Sequence, residues 1–171
     1  MDNEILIRKY ENTDYDSFLQ LIKEFQRYIA ATDSSEVCCE FDSAADVKKY
    51  ADQSLDDVAK REGSLYFAET EGKIVGFVLG IIERNEKDTL YILTHKPGAH
   101  GWIGEVYVDS EYCKRGIARR LIDKIIADFK DKGCVNVRLY VMADNQIAIS
   151  AYEKLGFRTR DLEMSRDIYK N

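Results

Sequence analysis

Apolar residues recur along this chain in two rhythms, and the switches between them divide it into elements. Ile5, Leu6 and Ile7, followed by Arg8, predict a first strand. A helical rhythm follows, with Tyr15, Phe18, Leu19, Ile22, Phe25 and Ile29 on one face and Thr13 or Asp14 placed to cap it. Residues 33–42 are polar and acidic and predict a loop. Asp42 or Ser43 then opens a second helix bearing Ala45, Val47, Tyr50, Leu55 and Val58, which ends before Gly63. Residues 65–70 and 74–82 predict two strands of a hairpin joined by the tight turn Glu71-Gly72-Lys73. Residues 83–88 predict a turn, 89–93 an additional short strand, and 94–101, with Pro97-Gly98, a loop.

The stretch from Ile103 to Ile122 organises the rest. Ile103, Val106, Tyr107 and Val108 predict a strand, and Leu121, Ile122, Ile125, Ile126 and Phe129 predict a helix that stops near Lys132-Gly133. Between them, residues 109–115 form a polar turn that carries Lys114 and Arg115 and leads to Gly116. The first N–H groups of a helix lack intrahelical acceptors, and its dipole places positive charge there. Gly116, and nearly as well Ala118, would let an oxygen-rich ligand approach that backbone. A plain strand-to-helix connection with solvated Lys and Arg is the other reading of the same residues. Residues 135–141 then alternate as a strand, Asn145 opens a short helix over 146–155 closed by Gly156, and 157–160 with 164–169 predict a final hairpin.

This order predicts an α/β protein with a mixed sheet, hairpins in its first half and strand–helix alternation in its second. With 171 residues, no linker and no repeat, the chain reads as one domain over 1–171. Its net charge of −6 argues against a general nucleic-acid binder. No apolar run reaches membrane-spanning length and no signal peptide is evident, so the expectation is no membrane association and a cytoplasmic location. Cys38, Cys39, Cys113 and Cys134 lack C-x-x-C spacing and read as reduced thiols. His95 and His100, the only histidines, form no compact ligand set with them, and no metal site is expected.

Two motifs carry a resemblance when read together. The first is Val108-Asp-Ser-Glu-Tyr-Cys-Lys-Arg-Gly-Ile-Ala-Arg-Arg-Leu, and the second, a strand later, is Asn145-Gln-Ile-Ala-Ile-Ser-Ala-Tyr-Glu-Lys-Leu-Gly-Phe157. In this order they resemble the pyrophosphate loop and the following helix of the GNAT superfamily of acetyl-CoA-dependent N-acetyltransferases. The order of elements is similar along nearly the full chain. The resemblance implies a twisted, mostly antiparallel central sheet, splayed at the cofactor site and flanked by about four helices. It implies that acetyl-CoA lays its pantetheine arm along Val106, Tyr107 and Val108. The diphosphate would then rest on the turn from Lys114 through Arg115, Gly116 and Ile117 to Ala118, with Cys113 and Arg119 at its borders, and Asn145 would touch the arm from the other side. One position departs from the family: Cys113 stands where Gln or Arg is usual, and reads as a small half-buried residue tolerated there.

Acetyl transfer to an amine needs a neutral amine, a stabilised oxyanion and a proton for the departing thiolate. The resemblance makes Tyr152 the candidate acid, while packing with Leu155 and Phe157 as an ordinary core aromatic is the other reading. Glu105, an acid on the central strand, is the candidate base; period two sets it on one face with Tyr107 and sets Val106 and Val108 on the other. Binding a cationic substrate, or a salt bridge, remains open for the same carboxylate. A strand N–H, such as that of Val106, would serve the oxyanion. Asp33, Glu36, Glu40, Asp42 and Asp46 precede the site, which suits a cationic acceptor but also suits a solvated acidic face. A small-molecule amine is favoured, with a protein lysine, an N-terminus, or a non-catalytic acyl-CoA-binding module as alternatives. The final hairpin and exposed strand edges are compatible with a homodimer.

Overall fold

In the computed structural model, which describes residues 4–33, 40–85 and 97–164, one open sheet carries helices on both faces. Its strands are β1 (Leu6–Lys9), β2 (Ser64–Thr70), β3 (Lys73–Asn85), β4 (Gly98–Val108) and β5 (Cys134–Leu139), arranged in sequence order. β1 to β4 pair antiparallel, and β5 runs parallel to β4. A parallel step needs a crossover, which helix α3 (Ile117–Asp131) supplies. Helices α1 (Tyr15–Thr32) and α2 (Ala44–Lys60) lie against the opposite face, and α4 (Gln146–Lys154) follows β5. The mixed, mostly antiparallel sheet with four helices matches the expected architecture.

Alternation along the strands divides the core in two. Leu65, Phe67, Phe77 and Leu79 pack with Phe18, Ile22, Val47 and Ala51 beneath α1 and α2. Tyr66, Ala68, Val78 and Ile103 pack with Leu121, Ile122, Ile125 and Phe129 of α3. Each such large side chain contributes roughly 1.5–3 kcal/mol by leaving water. Ser43 caps α2, accepting from the Asp46 N–H at 3.3 Å. Asp14 occupies the N-cap position of α1 without capping it, because its carboxylate receives Arg8 at 2.7 and 2.8 Å and the Glu11 N–H at 2.9 Å.

Three expectations need correction. β3 does not end before Glu83; it continues to Asn85, because Glu83 is held by Arg61 and Arg138 and Arg84 by Glu62. Residues 98–101 are not loop but the first part of β4, since Ala99 and Gly101 are small enough on the α3 side to admit Phe129: a Cβ on Gly101 would lie 2.4 Å from its ring. His100 is consequently buried in the strand, its Nδ1 2.5 Å from Asn136 Oδ1. Residues 157–160 form no strand, and the chain from 158 to 164 is exposed, with no described residue covering one face of a hairpin. The partner segment after residue 164, the short strand expected over 89–93 and most of the acidic loop lie outside the described residues.

Candidate active site

The site grows from an irregularity in β4. Leu79 faces Glu105 across the β3–β4 ladder, whereas Gly80 faces Ile103, so Gly104 is an extra residue on β4. Such a bulge re-aims side chains. Gly104 and Glu105 therefore line the same cavity beneath α2, after which Val106 and Val108 resume packing toward α3 and Tyr107 toward α1. Pairing with β5 stops at Ile103 and Leu139. From Gly104 to Val108, β4 thus has a partner only in β3, and its other edge has no strand beside it among the described residues.

Glu105 sits on the floor of a cavity of about 250 Å³ lined by Tyr50, Gln53, Ser54, Asp57, Leu79, Ile81, Trp102 and Gly104. It is 6% exposed. The Tyr50 hydroxyl donates to Oε1 at 2.8 Å, while Oε2 has no hydrogen-bond partner. Burial pushes this carboxyl up to about 7, against the opposing effect of the Tyr50 and Ser54 hydroxyls, which favour the charged form. Tyr50 leaves 36% of its surface exposed, but its hydroxyl end is turned inward, and burial together with the Glu105 charge raises its own pKa strongly. Trp102 forms another wall, with the Arg138 guanidinium 5.3 Å from its ring and Tyr140 set edge-on at 4.5 Å.

At the far end of β4, the turn into α3 has the features that suit an anion. Lys114 (φ 64°) and Gly116 (φ 75°) adopt left-handed conformations that swing the chain into the helix. No side chain caps α3, so the leading N–H groups at Ile117, Ala118 and Arg119 remain available. The Ile117 side chain is buried in the core, leaving only its backbone to a ligand. Arg115 lies 5.1 Å from the Tyr112 ring, and Lys73 lies at the same 5.1 Å. Arg119 reaches back to Asp123 at 3.5 Å. Cys113 is exposed rather than half-buried, with Sγ 3.9 Å from the Val108 carbonyl oxygen.

Two further residues come from α4 and its cap. Asn145 is 8% exposed; its Oδ1 accepts from the Ala148 N–H at 3.1 Å and its Nδ2 donates to the Tyr28 hydroxyl at 3.0 Å. Tyr152 packs with the α3-side core and lies edge-on to Phe157 at 5.9 Å, yet its hydroxyl makes no hydrogen bond among the described residues. Burial, and next the neighbouring Tyr28, push its phenol up to about 12.

Residues 19–157 match the acetyltransferase (GNAT) family. The chain belongs to that family. An uncharacterized N-acetyltransferase of Methanocaldococcus jannaschii is 33% identical over 116 residues, which is 67% of this chain and 48% of that protein. A mycothiol acetyltransferase of Streptomyces avermitilis is 29% identical over 100 residues, or 58% of this chain and 28% of the relative. The matches thus span about half or less of these relatives' lengths. In fold, an aminoglycoside N-acetyltransferase solved in complex with CoA superposes with a TM-score of 0.74 at 16% identity, covering 98% of this chain and 97% of that one.

The two motifs point to the turn at Gly116, Asn145 and Tyr152, and the acid on the central strand points to Glu105, but none of them signals the residues that α2 sets beside Glu105. Tyr50 reads in sequence as one more apolar position of an amphipathic helix, and Ser54 and Asp57 as its solvent side. Their i, i+4 and i, i+3 spacing from Tyr50 and Ser54 is the one available signal that they share a face.

Proposed function

We propose that this chain is an acetyl-CoA-dependent N-acetyltransferase that acetylates a small-molecule primary amine by direct attack in a ternary complex. The observation that carries the reading is Glu105: a buried carboxyl with one free oxygen, in a cavity that adjoins the unpaired edge of β4. Family membership supports acetyl-CoA as donor. The residues present fit such a cosubstrate, because the uncapped start of α3, the left-handed Gly116 and the cations Lys114 and Arg115 suit a diphosphate. The backbone of Val106, Tyr107 and Val108 would receive the pantetheine amides, and the remaining amide hydrogen of Asn145 is free for the same arm.

When bound, acetyl-CoA supplies a thioester acyl group and a thiol leaving group. Glu105, with its pKa near 7, takes a proton from the ammonium of the acceptor at Oε2, directly or through one water, and so frees the amine to attack. A backbone N–H of β4, such as that of Val106, steadies the oxyanion. Tyr152, whose pKa near 12 keeps its phenol protonated, would pass that proton to the sulfur as the carbon–sulfur bond breaks, and would regain one from the acylated nitrogen.

Thiol release from acetyl-CoA across a panel of primary amines tests this reading. The expected result is release with at least one small amine and initial-velocity lines that intersect. Tight CoA binding without release for any amine would favour an acyl-CoA-binding module instead, and release only with peptide lysines or N-termini would move the acceptor to proteins.

A further inference from the structure

We infer that the cavity over Glu105 takes a short aliphatic diamine, or the end of a polyamine, with one nitrogen at Glu105 and the second cation at Asp57. The inference rests on the acetyltransferase reading above and specifies its acceptor. Among the described residues, the lining holds two carboxylates and no Lys, Arg or His. The Arg138 guanidinium packed on Trp102 is ion-paired with Glu83. Glu105 is one of the lining residues, nine-tenths buried, and its Oε2 has no hydrogen-bond partner. Asp57 is half-buried and joins no ion pair among the described residues, its neighbour Lys60 being bound to Asp56 instead.

Depth and spacing set the ligand's length. Ser54 borders Glu105, and Asp57 lies three residues further along α2, about 4.5 Å along the helix axis. A separation of that order along α2 suits a short chain of three or four methylenes between the two carboxylates. Between the carboxylates the walls are hydrocarbon and aromatic, from Leu79, Ile81, Tyr50 and Trp102, which suit a methylene chain and the π-face attraction of its ammonium ends. The cavity's volume of about 250 Å³ leaves room for a short chain. Glu105 serves the nitrogen that reacts and Asp57 the one that stays charged, so the product would be a monoacetylated diamine.

The test compares diaminopropane and diaminobutane with propylamine and butylamine as acceptors, in the wild type and in Asp57→Asn. The expected result is a kcat/KM at least about tenfold higher for each diamine than for its matched monoamine, the size of one hydrogen bond to a charged group. In Asp57→Asn that preference collapses to within about threefold through a raised diamine KM, and calorimetric binding of diaminobutane to the donor-free protein weakens in parallel. Equal turnover of butylamine and diaminobutane by the wild type overturns the diamine assignment while leaving the acetyltransferase reading standing. A preference that survives Asp57→Asn does the same. Failure of every primary amine to release thiol overturns both.

Discussion

Glu105 and Tyr152 are two titratable groups pushed in the same direction by burial, and their different starting points suit the base and acid roles proposed for them. Burial takes the carboxyl up to about 7, where it exchanges protons near neutrality, and takes the phenol up to about 12, where it remains a donor. Glu105→Gln is expected to remove the acid limb of the kcat/KM profile near pH 7, and an unchanged profile would reduce Glu105 to a binding group. The same shift has a signature in stability. Because the folded state holds the Glu105 proton more tightly than the unfolded chain, the wild type loses stability as pH rises from about 4.5 through 7. Relative to Glu105→Gln, that loss should amount to roughly 2–3 kcal/mol between pH 5 and pH 8.5, read from urea midpoints. A wild type and variant that track each other across this range would show that the carboxyl is not desolvated as placed. Tyr152→Phe is expected to lower kcat about a hundredfold or more while CoA binding by calorimetry is unchanged. A variant that turns over normally would return Tyr152 to the core, where its contact with Phe157 already gives it a packing role.

At the level of elements, what the sequence makes legible follows from where the signal resides. The amphipathic rhythm of α1, α2 and α3 and the Glu71-Gly72 turn are local properties, and all four appear as read; both turn residues have positive φ, 53° and 74°. The start of β4 is not local. Gly98-Ala-His-Gly has no β-branched or aromatic signal, and it becomes strand because β3 and β5 flank it and Phe129 needs a floor without side chains. The bulge at Gly104 is likewise invisible to period-two counting, although it is what brings Gly104 and Glu105 to one cavity. Gly101→Ala should therefore cost roughly 1–3 kcal/mol in chemical denaturation, since Phe129 must yield. A neutral outcome would show that α3 can shift on the sheet. Gly116 is different, because a Cβ there meets nothing within 4 Å and only its φ of 75° is demanding. Gly116→Glu is thus expected to leave a folded protein with no saturable heat on titration with CoA, through repulsion of phosphate; retained affinity would place the diphosphate elsewhere.

Across the whole molecule, the sheet separates two tasks and lets them meet at one strand. The α3 side and the edge of β4 past Ile103 carry backbone N–H groups and an uncapped helix, which suit the proposed anionic donor, while the α2 side carries carboxylates and aromatic walls, which suit the proposed cationic acceptor. Glu105 belongs to the second side by one residue of register, and Val106 to the first. The order of strands and the two motifs make the donor side readable from sequence; the acceptor side depends on how α2 lies across β4, which no local pattern encodes. The decisive measurement is the distance from the Tyr152 hydroxyl to the cosubstrate sulfur in a crystal structure of the CoA complex. With the arm along Val106 to Val108, that distance is expected to be about 3–3.5 Å, or to be bridged by a single water. A CoA bound away from β4, or a sulfur facing away from the phenol, would contradict the proposed chemistry.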